Sequence, residues 1–483
     1  MRPAALLLAL ALPLAGQDGR AGNAIDDRMA DVWRAAGVEP AERADDFEFL
    51  RRVTLDVAGR TPTVEEVRAW RANPAPDRRA RKVDELIASP AFLDHWSRRL
   101  ASATAGYRAS NGFTTWMRAR LEAGDGWDAI AAAMVATRGE RSRPELAFLE
   151  QFRDADEAAS GTARTFLGLR LHCARCHDHP TDRWTMRDFQ GLAAFFDGAV
   201  PVNGRGSMVL RESLQPVFPD ARGPSPRGAL PRLLTSHDQF ARAFVNRVWA
   251  YFFGRGIVHP YDDFHPRQRA PAARVLDLLA REFRVMKFDL RWLVRSIATL
   301  RAYDCTSRGP AHDESRDVFA RARVRPLAPH QHWTAIVHAT QLDRVTFDDL
   351  VLAAAGIVRG SREENWERMR RWFTDVLTRD APRETPEGLV THDAHTQTAL
   401  RLMSRRAPVW MAVPAASGGR LSTLLRSRAG EDAAVDELFA ASLGRGPTDR
   451  ERAIFARAWR RGPDALEDAF WALLNTDEFI FNH

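Results

Sequence analysis

Between His237 and Gly254 the chain reads HDQFARAFVNRVWAYFFG, and Phe240, Phe244, Val245, Val248, Trp249, Phe252 and Phe253 recur in it at steps of three and four. That spacing lines one face of an α-helix; a strand would instead alternate faces at every residue. Leu466, Phe470, Leu473 and Leu474 repeat the pattern near the C-terminal end, whereas sustained alternation is hard to find. An all-α fold is expected. Helix starts carry their own marks: Thr63-Val-Glu-Glu66 reads as a capping box, Ser89-Pro90 as an N-cap followed by proline, and Thr185 as the cap of MRDFQGLAAFF.

The 483 residues suffice for two cores of ordinary size, at ~100–200 residues per domain. Glycine and proline cluster over residues 200–232, where helical periodicity fails. The expected layout is two helical domains, 25–199 and 233–483, joined by that Gly/Pro-rich linker. Two shorter breaks, SRGPAHDES and RDAPRETPEGLVTHDAHT, read as loops inside the second domain.

At the start, MRPAALLLALALPLAG has one arginine and then an apolar run from Ala4 to Ala15, so residues 1–16 are expected to be a secretory signal peptide. No later segment approaches the ~20 apolar residues of a spanning helix. No cysteine follows the run to take a lipid. The mature protein is therefore expected to be exported and soluble, periplasmic or in the cell envelope. The formal charge of +7 rests almost wholly on arginine, since Lys82 and Lys287 are the only lysines, and the basic residues are interleaved with acidic ones. A nucleic-acid face needs them concentrated along successive phosphates, so no nucleic-acid partner is expected.

The chemistry is concentrated in CARCHDHP, where Cys173, Cys176, His177 and His179 fall within seven residues. With Cys305 the only other cysteine, the chain is no disulfide scaffold. If the motif is helical, Cys173, Cys176 and His177 lie within about 100° of one another. Two sulfurs then meet one porphyrin edge while the adjacent imidazole turns to the iron. C-x-x-C-H is read first as haem c attachment, with Cys173 and Cys176 as attachment sulfurs and His177 as the proximal iron ligand. The alternative is a tetrahedral zinc site of Cys173, Cys176, His177 and His179; a disulfide or free thiols also remain open. His179 cannot serve as the distal ligand of the same haem, because two residues of chain reach at most ~7 Å. Distal candidates are Met186, His330, His332, His338, His392 and His395, and a five-coordinate iron is the other option.

Long blocks then suggest a family. FLRRVTLDVAGRTPTVEEVRAW, DRRARKVDELIASPAF and FLGLRLHCARCHDHPTDRWTMRDFQGLAAFF resemble the planctomycete cytochrome-like (PSCyt) domain of unknown function. FARAFVNRVWAYFFGRGIVHPYDDF, FDLRWLVRSIATLRAY and FWALLNTDEFIFNH resemble its usual companion, the planctomycete PSD domain of unknown function. The resemblance implies a secreted two-domain protein whose cytochrome-like label rests on Cys173, Cys176 and His177. It also implies, by association only, partnership with sulfatase-like or surface-polymer proteins. Larger relatives carry a further haem-type module that this chain lacks, and Thr181 stands where the family pattern H-P-F-D has an aromatic residue.

Elsewhere, His259, Asp262, Asp263 and His265 share one loop, read as organising a helix end, with metal binding or acid–base work as the alternative. Asn246 and Arg247, and likewise Arg51, Arg52, Asp56 and Arg60, read as ion-pair networks between helices. The common hydrolase and nucleotide signatures are absent. The main expectation is an envelope protein with one covalent haem c, working in electron transfer or redox sensing with an envelope redox partner. The alternatives are a scaffolding protein with a zinc site and a metal- or haem-dependent enzyme of surface polysaccharide.

Overall fold

The computed structural model describes residues 18–106, 109–137, 143–196, 226–309, 317–344, 370, 418–427 and 430–483. The expected signal peptide 1–16 and residues 200–225 of the linker lie outside the described residues. Among the described residues regular structure is helical apart from a two-stranded antiparallel ribbon, β1 (Arg325–Pro326) with β2 (Phe481–Asn482). The fold is all-α, as expected. No described helix is long and apolar enough to cross a membrane.

The helices in chain order are α1 (Asp18–Ala36), α2 (Asp46–Ala58), α3 (Val64–Ala72), α4 (Arg78–Ala88), α5 (Pro90–Ala105), α6 (Asn111–Glu122) and α7 (Trp127–Ala136). Next come α8 (Ala147–Glu150), α9 (Ala155–Thr162), α10 (Met186–Ala193), α11 (Pro226–Ser236), α12 (Asp238–Phe253), α13 (Ala273–Val285), α14 (Leu290–Ala298) and α15 (Pro329–Thr340). Five further helices between Arg420 and Ile480 close the chain. The caps fall where the residue types put them. Thr63 and Glu66 exchange both bonds of a capping box, Ser89 Oγ accepts from Phe92 N ahead of Pro90, and Thr185 forms a capping box with Asp188.

Residues 226–232, which composition assigned to the linker, already belong to α11. They are helical because Leu230, Leu233 and Leu234 are buried, and α11 packs on α7. This contact is one of several across the 200–232 stretch. A single apolar core gathers residues from Ile25 to Ala320, with Ala440 and Ala441 added from the C-terminal helices, and so draws on both sides of it. Trp127 of α7 stacks on Phe244 of α12 with ring centroids 4.4 Å apart, and Phe148 and Phe166 continue the aromatic cluster. A second core gathers Leu327, Trp333 and Ile336 near α15 with Leu438, Phe439 and Phe470 of the C-terminal helices.

Helix α2 lies between the cores: Leu55 belongs to the second, whereas Phe49, Leu50, Val53 and Val57 belong to the first. Every residue from Phe49 to Ala58 is buried, so its polar side chains need partners inside the protein. They have them. Asp56 accepts from Arg325 at 2.8 Å, Tyr303 Oη at 2.9 Å and Asn482 Nδ2 at 2.9 Å. Arg52 donates to the carbonyls of Tyr303 and Cys305 and pairs with Glu48, one turn back. Arg51 donates to the carbonyls of Ser442 and Phe479 in the C-terminal helices. These bonds are how α2 joins the two cores. Arg60, at the end of the same segment, pairs with Glu66 at 2.6 Å.

Candidate functional site

The chain approaches the cysteine motif through a π-type turn, Ala163–Leu167, that ends at Gly168 with φ +65°. A side chain there would be strained, and its Cβ would fall 2.6 Å from the Phe264 ring. Leu169 and Leu171 are then buried, and His172–Arg175 form a short 3₁₀ turn. The motif is thus a single tight turn where an α-helical one was the premise of the expected geometry. Cys173 lies within the turn and Cys176 caps its C-terminal end, so the two cysteines stand three residues apart across one tight turn. Both thiols are exposed and unpaired, while Ala174 between them is fully buried and anchors the turn. Arg175 ties it to the start of α9 through Asp156 at 3.0 Å and Asp154 at 3.7 Å.

The two histidines differ in what their rings have left to offer. His177 Nδ1 lies 2.7 Å from the carbonyl oxygen of Asp178. A carbonyl only accepts, so Nδ1 carries a proton, and in the neutral ring Nε2 then holds the lone pair, the arrangement that suits a metal-binding imidazole. His179 Nδ1 instead accepts from the backbone N–H groups of Asp182 at 3.1 Å and Thr181 at 3.4 Å. Its Nδ1 lone pair is occupied by the turn, and in the neutral ring Nε2 holds the proton. Among the described residues no three His, Cys, Asp or Glu side chains converge closely enough to hold a metal ion, and Cys173, Cys176, His177 and His179 are no exception.

The loop from His177 to Thr185 is stitched shut: His179 N donates to Trp184 O at 2.8 Å, and Met186 N donates to Asp178 Oδ1 at 2.8 Å. Beside it lies a cleft of about 390 Å³ lined by Leu167, Leu169, Leu171, Trp184 and Leu192, with Arg183, Asp188 and His237 at its polar side. That is within the ~300–1,000 Å³ of small-molecule pockets, and its walls are mostly apolar. Burial lowers the His237 pKa, aided by the Arg183 and Arg284 charges and opposed by Asp238.

The His259–His265 loop is docked onto both flanks of the motif. Phe264 N donates to Gly168 O at 2.8 Å, and His265 Nε2 donates to Thr181 O at 2.8 Å. Asp262 is buried and pairs with Arg170 at 2.7 Å. The loop thus organises the approach to the motif, and its aspartates do so through Arg164 and Arg170 where backbone donors at a helix end were expected. Asn246 fastens it to α12, donating to Val258 O at 2.8 Å and accepting from Val258 N at 3.1 Å. Arg247 departs from expectation, for it forms no ion pair with any described residue.

The other named residues are placed as follows. Met186, first residue of α10, is 39% exposed. His330 Nε2 lies 3.0 Å from Nδ1 of buried His95, His332 packs edge-on against Phe479, and His338 Nδ1 donates to Thr61 O at 3.2 Å. These three belong to the seam around α15 and are engaged there. His392 and His395 lie outside the described residues. Cys305 is buried, accepts from Arg301 at 3.1 Å, and has its thiol pKa raised by burial.

Residues 24–200 match the family model PSCyt2, a protein of unknown function (DUF1549), and residues 226–459 match PSD1, a protein of unknown function (DUF1553). No curated protein and no solved structure matches the chain.

Proposed function

The chain belongs to the proteins that join a PSCyt2 region to a PSD1 region, and from that premise we propose that it is an exported cytochrome-like protein carrying one covalent haem c. Cys173 and Cys176 would hold the porphyrin edge, and His177 Nε2 would be the proximal ligand. The observation that carries the reading is the state of these three side chains: two exposed, unpaired thiols three residues apart on either side of a tight turn's end, beside an imidazole whose Nδ1–H is engaged with Asp178 O. Haem, when bound there, supplies one-electron chemistry at its iron.

What the chain itself contributes is position and dryness. Asp178 fixes the His177 tautomer, Arg175 and Ala174 fix the turn, and Leu167, Leu169, Leu171 and Trp184 line an apolar wall next to it. Such walls keep water from a redox centre and so set its potential. The proposed role is electron transfer or redox sensing with a partner at the cell envelope.

Expression with a signal sequence in a host that ligates haem to C-x-x-C-H tests this directly. The purified protein should show a Soret band that survives acid–acetone extraction, and Cys173→Ala with Cys176→Ala should abolish it. Colourless protein holding one equivalent of zinc would overturn the haem reading in favour of the Cys/His zinc site. The occupied Nδ1 of His179 weighs against that outcome.

A further inference from the structure

Arg247 lies in the middle of α12 and is only 4% exposed. Its guanidinium has no hydrogen bond or ion pair with any described residue; its Nε is fully buried without a partner, and its Cζ lies 5.5 Å from the centroid of the Tyr261 ring. A buried cation in this condition is strongly unfavourable unless a counter-charge reaches it. The carboxylates on either side of it in the chain do not serve: Asp238 pairs with Arg284 at 3.0 Å, and Asp262 is committed to Arg170 at 2.7 Å and Arg164 at 3.7 Å.

Two further buried donors lie close enough to feel the Arg247 charge. Tyr251, one turn along α12, and Tyr261 are 6% and 3% exposed, and neither hydroxyl bonds to a described residue. Burial raises both phenol pKa values against the lowering pull of Arg247, which keeps each O–H available as a donor. Arg99 of α5 adds a second positive charge, its Cζ 4.1 Å from the Tyr251 ring centroid. The frame behind them is rigid. Asn246 clamps Val258, and Gly256 passes so close that a Cβ there would meet Val258 O at 2.4 Å and Tyr261 Cβ at 3.0 Å.

We propose that Arg247, Tyr251 and Tyr261, with the charge of Arg99, form an oxyanion-binding site that accepts a carboxylate, sulfate or phosphate group. The ligand class follows from the donors: guanidinium presents its N–H groups in a fixed plane to such groups, and phenols complete the shell. The site is independent of the thiols and of any haem.

Isothermal titration of the full-length protein with sodium sulfate, sodium phosphate and sodium acetate, each against sodium chloride at equal ionic strength, tests the proposal and separates the three sources. At least one anion should bind saturably at one site per chain. Arg247→Met should weaken it by tenfold or more, and Tyr261→Phe, which keeps the ring, by several-fold. Without anion, Arg247→Met should unfold at the same or a higher denaturant concentration than the parent, since a buried unpaired charge has been removed; a purely structural arginine would give the opposite. If Arg247→Met does not fold, Arg247→Lys and Tyr261→Phe provide the same comparison. Absence of saturable binding to all three anions, or unchanged affinity in these variants, overturns the site.

Discussion

Helices α2 and α12 are both buried around most of their circumference, and each carries adjacent polar residues in an apolar run: Arg51 and Arg52 in one, Asn246 and Arg247 in the other. In α2 these side chains are engaged by the fold, with Arg51 Nε alone left without a partner among them. Arg52 has Glu48 one turn back and three carbonyls ahead, Arg51 has two carbonyls, and Asp56 accepts from three residues. In α12 only Asn246 is used up; Arg247 has Ala243, Phe244, Ala250 and Tyr251 at the positions three and four away, none of them acidic. The cysteine motif resembles α12 in this respect, with two thiols and a His177 Nε2 that the fold leaves over. Buried polar groups that the protein satisfies explain stability, and those it leaves unsatisfied are where binding is to be sought.

That contrast can be broken most sharply at Asp56. Asp56→Ala removes the acceptor for Arg325, Tyr303 and Asn482 together and leaves a largely buried cation. Destabilisation of about 3–5 kcal/mol is expected, measured by urea unfolding; a value below ~1 kcal/mol, the scale of an exposed pair, would mean that α2 is not the joint between the cores.

Acid provides the next test. Burial pushes the Glu66 carboxyl up, but its bonds to Arg60, Lys82 and the Thr63 backbone outweigh this and bring it to about 2, against an ordinary 4.5. The folded value is the depressed one, so the stabilisation is complete above pH 4.5 and is lost as pH falls toward 2. It amounts to roughly 2–3 kcal/mol. Unfolding midpoints taken between pH 6 and pH 2 should fall with pH in the parent and less steeply in Glu66→Gln.

A smaller effect is expected at Gly168, where φ is +65° and a Cβ would press on Phe264. Gly168→Ala should cost about 1–3 kcal/mol and loosen the 259–265 loop, read as faster amide exchange at Phe264. The smallest belongs to the motif. Because both thiols are exposed and unpaired, Cys173→Ala and Cys176→Ala should each move the stability of the haem-free protein by less than ~0.5 kcal/mol, seen in the same urea titrations. A larger loss would assign the thiols to structure and erase the difference from α2.

Much of the fold could be read in advance because its causes are local. The steps of three and four along Phe240–Phe253, and the caps at Thr63, Ser89 and Thr185, involve neighbours within one or two turns. The proline-rich composition misplaced the start of α11 because burial of Leu230 and Leu234 against α7 overrides it, and that burial is a long-range fact. At the motif, residue identity pointed to Cys173, Cys176 and His177, but the 3₁₀ turn and the opposite hydrogen-bond roles of the His177 and His179 rings depend on backbone geometry. Arg247 was taken for an ion-pair member because arginine usually is one. The missing acid at its helical neighbours was a sequence signal, though only the fold rules out a distant partner among the described residues.

The aromatic packing of Trp127 on Phe244, and of Phe148 and Phe166 beside them, has a bearing on how such a chain can be inherited. A gene divided between the two family regions would yield two polypeptides with raw aromatic surfaces, each sticky and prone to precipitate. Recombination that shuffles one region without the other is therefore penalised at the level of solubility, before any activity is lost. The packing itself gives lineages a reason to keep both regions in one reading frame.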